Sequence, residues 1–192
     1  MKRFPFYVLM FTINFCSAQV KLSQESTIKN RIVNFLAWHK KGGENIQGPA
    51  YFVPRYDELD STKTYFDIDS LERYYNVFRK SKFVSEQYIN QLKDYFNYYG
   101  KFIGPKRKPN EIIKIDGLDQ DIILNTFEPE LILDNLTRVT ITKSLIIYNK
   151  ALIGMNFTKG VDMIFILTKQ NDDWEIDYIG PNNSSMQSLF RQ

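Results

Sequence analysis

Between residues 137 and 180 the chain repeats one pattern, and that pattern leaves few folds open. TRVTITKSLIIYN alternates, with Val139, Ile141, Leu145 and Ile147 set among Thr140, Thr142 and Ser144. ALIGMNF, GVDMIFILTK and DWEIDYIG follow, parted only by the turn signals NK, TKG and QNDD. Alternation sends successive side chains to opposite faces of a sheet. Such short connections join antiparallel neighbours, since parallel strands need a long crossover. The second half of the chain therefore predicts an antiparallel meander.

Before that region the period is helical. SQESTIKNRIVNFLAWHKK, residues 23–41, places Ile28, Ile32, Phe35, Leu36 and His39 on one stripe, with Ser23 or Ser26 as cap and Gly42-Gly43 as stop. A second helix carries Leu71, Tyr74, Tyr75 and Phe78, with Asp69 or Ser70 as its cap. Ser85 opens a third, SEQYINQLKDYFNYYG, whose stripe is Tyr88, Ile89, Leu92, Tyr95, Phe96 and Tyr99 before Gly100 stops it. Residues 44–68, with Pro49 and Pro54, read as irregular with room for a short edge strand. Helices first and a meander last predict an α+β fold, with N-terminal helices packed on one face of a curved antiparallel sheet.

The N-terminus carries the three parts of a secretory signal: Lys2 and Arg3, the apolar run Phe6 to Phe15, and small residues before Gln19. That run falls short of the roughly twenty residues a spanning helix needs, so no transmembrane anchor is expected. Cys16 and Ala18 fit a cut before Gln19. Lipidation of Cys16, the alternative, is disfavoured by Asn14 and Phe15 immediately ahead of it. The reading is a signal peptide at 1–18 and a single domain at 19–192, exported to a periplasm or the exterior. Removing 18 of 192 residues takes Lys2, Arg3 and the only cysteine, and lowers the formal charge from +3 to +1. A near-neutral mature chain has no general attraction for nucleic acid. A chain without cysteine has neither disulfides nor thiol chemistry.

The order of elements, together with FLAWHKK, RKSKFVSEQYINQLKDYF, DGLDQDIILNTFEP and the final WEIDYI, resembles the nuclear transport factor 2-like, or cystatin-like, superfamily. More narrowly it resembles a family of small exported bacterial proteins of unknown function with that fold. The resemblance implies a pocket between the first helix and the concave sheet face, with Trp38, Tyr75, Trp174 and Tyr178 as lining residues. That superfamily hosts isomerases, dehydratases, transport factors and binding modules, so the fold leaves function open. No Asp/His pair aligns with a catalytic one, and residues 44–68 are longer than in a minimal member.

His39 is the only histidine, which excludes a multi-histidine metal site and leaves one candidate imidazole base. The plainer reading is a partly exposed side chain suited to the helix C-terminus. Asp116, Asp119 and Asp121 lack the spacing of a calcium loop and read as a turn with capping aspartates. Nine of twelve tyrosines lie between residues 51 and 99, most at core spacing, with Tyr56, Tyr74 and Tyr98 as surface candidates. Glu175 and Asp177 share the face opposite Trp174, Ile176 and Tyr178, which puts the acids in solvent. Lys106-Arg107-Lys108 reads as a solvated turn, and Asn135-Leu136-Thr137 and Asn156-Phe157-Thr158 fit the glycosylation pattern.

No cofactor or metal is expected. The expectation is a non-enzymatic binding module for a small molecule or protein, with two alternatives. One is a lyase or isomerase using His39 or a carboxylate. The other is an interaction subunit, including a homodimer, that pairs through an outer sheet face bearing Ile146, Tyr148, Leu152, Ile164 and Ile166.

Overall fold

The structure, a computed structural model, describes residues 24–44, 68–100 and 120–181, with the backbone alone at 55–56, 64–65 and 181. Residues 1–18, the 106–108 loop, Asp116, Asp119 and the side chain of Tyr56 lie outside the described residues. Helix α1 covers residues 24–40. Strands β1 (Arg55–Tyr56) and β2 (Thr64–Tyr65) pair antiparallel within the stretch expected to be irregular. Helices α2 (Ile68–Ser81), α3 (Glu86–Gly100) and the single turn α4 (Glu130–Leu133) follow. The chain ends in strands β3 (Thr140–Ile147), β4 (Lys150–Thr158), β5 (Val161–Gln170) and β6 (Asp173–Pro181). They form an open antiparallel sheet in the order β3-β4-β5-β6. The predicted α+β class and meander are present.

The helical stripes carry the core. Ile28, Ile32, Phe35 and Leu36 of α1 are fully buried in one cluster with Tyr74, Tyr75 and Phe78 of α2 and Ile89, Leu92 and Phe96 of α3. The sheet adds Ala151, Ile153, Met155, Phe157, Met163, Phe165, Leu167, Trp174 and Ile176 to that cluster. Asp69 and Ser70 fall inside the first turn of α2 rather than before it. Ser85 precedes α3 and caps it: its carbonyl accepts the Ile89 N–H at 3.2 Å, and its hydroxyl faces the Tyr88 N–H at 3.4 Å. The connector between α2 and α3 joins the sheet. Ile176 donates to the Phe83 carbonyl at 2.9 Å and accepts from Ser85 at 3.0 Å, so Val84 bridges the β6 edge.

The sheet has three register shifts, one of them in β4 between Asn156 and Thr158, and the other two reset the alternation that the sequence suggests. In β3 the register shifts between Ile141 and Lys143. Ile146, expected on the outer face, therefore pairs with Ala151 and packs against the core, whereas Leu145 and Ile147 pair with Leu152 and Lys150 on the outer face. In β6 the register shifts opposite Ile166 and Leu167, leaving Asp177 as the extra residue between Ile176 and Tyr178. Bulged residues crowd onto one side of a strand. Trp174 and Ile176 stay inward and Ile179 becomes buried, while Tyr178 is only half-buried. Asp177, expected in solvent, is 1% exposed. Its carboxylate accepts from the Thr168 hydroxyl and, at 3.2 Å, from the Lys150 ammonium, two groups on neighbouring strands.

Candidate functional site

His39 occupies the last turn of α1 on the buried stripe, so helical periodicity directs its ring inward. The chain then reverses sharply. Gly42 adopts a left-handed φ of 71° and donates to the His39 carbonyl at 2.8 Å, and Gly43 donates to the Trp38 carbonyl at 2.9 Å. Any side chain at Gly43 would collide with the Trp38 indole, which lies across it. This glycine pair folds the next residue back on the helix end, where the Glu44 carboxylate meets His39 Nδ1 at 2.7 Å.

The other ring nitrogen meets a residue from far along the chain. Asp121 opens a tight turn in which its N–H donates to the Thr126 carbonyl at 2.9 Å, and its Oδ1 accepts the Leu124 N–H at 2.8 Å. Its Oδ2 lies 2.8 Å from His39 Nε2. Ile123 and Leu124 anchor this turn in the core. The expectation of a capping aspartate holds for Asp121. The expectation of a partly exposed His39 is corrected: the side chain is 9% exposed, because two carboxylates satisfy a ring that the helix stripe buries.

Burial, the largest single influence, works to lower the His39 pKa. The hydrogen bonds to Asp121 and Glu44 and the charges of both outweigh it, and the pKa rises to about 9. At neutral pH the ring is an imidazolium donating from both nitrogens, so it has no lone pair with which to take a proton. Tyr74 and Tyr88 border the same charges. Burial first pushes both phenols far above their ordinary range, helped at Tyr74 by the neighbouring Tyr88 and at both by the nearby carboxylates, which keeps them protonated. Glu44 Oε2 is buried and has no hydrogen-bond partner among the described residues. Among the described residues no group of acids, histidines or cysteines is arranged to hold a metal. Here the imidazole stands between the two carboxylates and holds their oxygens on opposite sides.

The Asp121 turn also forms one wall of a cleft of about 280 Å3. Leu124, Asn125, Thr126, Glu128, Leu131 and Ile132 line that wall, and Gly160, Val161, Asp162 and Met163 line the other. The second wall is the β4–β5 turn, and Asn156 shapes it. The Asn156 amide donates to the Thr158 carbonyl and the Asp162 carboxylate, both at 3.0 Å, and to the Val161 carbonyl at 3.4 Å. Read from the sequence as part of a glycosylation pattern, Asn156 uses its amide nitrogen inside the fold. On the first wall the Thr126 hydroxyl accepts the Glu128 N–H at 3.1 Å and leads into α4. The Glu128 carboxylate is exposed and has no ion pair or hydrogen bond among the described residues.

The expected pocket residues lie elsewhere. Tyr75 and Trp174 are members of the buried core cluster. Trp38 packs against it, with its ring 5.7 Å from Phe35, 5.6 Å from Phe78 and 6.1 Å from Phe83. Tyr178 is half-buried beyond the β6 bulge, and burial raises its pKa. Of the surface tyrosines, Tyr98 is exposed, but Tyr74 is buried against Phe78 and Phe96. Partial burial pushes the Glu175 carboxyl above its usual range. Sequence reasoning missed Glu128 and Asp162. Only the TKG turn signal beside Asp162 hinted that a loop wall forms there. No helix among the described residues is long and apolar enough to cross a membrane. No family model, curated protein or solved structure matches this chain.

Proposed function

We propose that this chain is an exported binding module whose ligand site is the cleft between the Asp121–Ile132 segment and the β4–β5 turn. In this reading His39 is a structural pin for one cleft wall and not a catalytic base. The observation that carries it is the double engagement of the imidazole, which leaves no acceptor for a substrate proton at neutral pH. Export rests on Lys2-Arg3, the apolar run and the Cys16–Ala18 cleavage pattern. A nuclear transport factor 2-like arrangement remains our finer reading of the fold, supported by three N-terminal helices ahead of a four-stranded antiparallel meander.

Amide-resolved NMR of the mature protein against a fragment library tests the site. Shifts grouped at Asn125, Thr126, Gly160 and Val161 are expected. Fragments that perturb only other regions, or turnover abolished by His39→Gln in a still-folded protein, would reverse the proposal. Intact mass of the secreted chain tests export, with a start at Gln19 expected and a lipid-modified start at Cys16 opposed.

A second reading is favoured by the edge strand β3. Leu145 and Ile147 are 54% and 53% exposed on the outer sheet face, and Tyr148 beside them is 95% exposed at a left-handed φ of 53°. Tyr148 opens the two-residue turn between β3 and β4, and its positive φ belongs to that turn. A second copy pairing along β3 would cover all three. Sedimentation at rising concentration separates the readings: a dimer lost on Leu145→Lys supports this one, and a monomer throughout removes it.

A further inference from the structure

The lining of the cleft carries a charge imbalance that specifies what it holds. We infer that it takes a small organic cation, an ammonium group on an apolar body, an inference that rests on the cleft being the binding site proposed above. Glu128 and Asp162 lie among the ten lining residues, and none of the ten is a cation. The two acids differ from the pair around His39. Asp162 spends one oxygen on the Asn156 amide, and Glu128 has no partner among the described residues. Opposite charge is missing where it would be bound most simply.

The rest of the lining decides the kind of cation. Leu124, Leu131, Ile132, Val161 and Met163 supply half of it. A hard metal ion needs six or more converging oxygens and gains nothing from these side chains. Leu124, Ile132 and Met163 are already buried, but Leu131 and Val161 keep exposed surface that an apolar body would cover. At about 280 Å3 the cleft falls just below the roughly 300–1,000 Å3 typical of ligand pockets, which limits the guest to a small molecule or one long side chain. Gly160 borders open space: a side chain there would meet nothing within 4 Å. Asn125 and Thr126 offer neutral polar groups at the same mouth.

The ammonium could belong to a free amine or to a lysine side chain, and one experiment covers both. The folded protein is titrated with 4-phenylbutylamine, with neutral 4-phenylbutanol, and with a blocked Ala-Lys-Ala peptide, following backbone amides by NMR. The amine is expected to bind about tenfold more tightly than the alcohol, as a charged hydrogen bond contributes, with shifts at Asn125, Thr126, Gly160 and Val161. Added salt should weaken the amine and not the alcohol. Glu128→Gln, an exposed change, should remove about the same tenfold for the amine alone, and Asp162→Asn keeps an oxygen for Asn156 while testing the second charge. A stronger response to the peptide than to the free amine assigns the ammonium to a lysine side chain. Equal affinity of amine and alcohol at these amides overturns the cation inference and leaves the binding module standing. Silence of these amides with all three compounds overturns both.

Discussion

The turn that begins at Asp121 separates two acidic regions with opposite characters. On its inner side Asp121 and Glu44 clamp His39, and the three largely buried groups are joined by hydrogen bonds, with only Glu44 Oε2 left over. On its outer side Glu128 is exposed and Asp162, half-buried, is held by the Asn156 amide, with no cation among the lining residues. The same residue type thus serves two purposes a few residues apart. Acids met by a cation fix the geometry of the fold, and acids met by none are free to recognise one. The inner pair joins the end of α1 to a turn 82 residues away, and that turn is a wall of the outer cleft.

The sharpest way to break this contrast is His39→Ala. It leaves two buried carboxylates without their cation and should cost about 3–5 kcal/mol, the usual penalty for half of a buried ion pair. In melting temperature that is on the order of 10 °C. A loss under 1 kcal/mol in urea unfolding would show that the inner cluster does not hold the fold. Next comes pH. His39 has its folded pKa raised to about 9 from 6.5, so its contribution is fully present below pH 6.5 and is lost as pH climbs through 9. The total is about 3 kcal/mol, from the size of the shift. Urea unfolding at several pH values should show this decline in the native protein and its absence in His39→Gln.

Asp177 asks whether the rule extends to a second satisfied acid. Asp177→Ala removes the acceptor for Thr168 and Lys150 and should cost about 2 kcal/mol by chemical denaturation. Lys150→Ala, at the exposed end of that contact, should cost under about 1 kcal/mol. The smallest effect belongs to the outer acids. Glu128→Gln should leave stability within about 0.5 kcal/mol of the native protein, since no internal partner depends on it. A large loss there would merge the two regions into one.

Much of this was readable from the chain, and the unreadable part has a physical cause. The α1, α2 and α3 stripes follow from side-chain period alone, and the four strands follow from alternation and turn signals. Period cannot see a bulge, however. One extra residue in β3 sends Ile146 inward and Leu145 outward, and one in β6 lets Asp177 be buried beside Tyr178. The candidate site was harder still. Residue spacing puts His39 on the apolar stripe but does not by itself overrule an exposed helix end, and its partner Asp121 arrives through tertiary folding. Glu44 arrives through a reversal that only Gly42 and Gly43 allow. Glu128 and Asp162 belong to separate loops whose proximity no local pattern records.

The two borders of the sheet are unequal in a way that bears on assembly. Phe83 and Ser85 already occupy the main-chain groups of Ile176, and Gln91 donates to the Asp177 carbonyl at 2.9 Å. Strand addition on the β6 side is therefore blocked at its middle, while β3 on the far side has no neighbour among the described strands. Among the described strands, the β3 border is therefore the one that stays open to a further strand. The connector between α2 and α3 thus covers the middle of the β6 edge, one of the ways in which open sheets shield an edge from another strand.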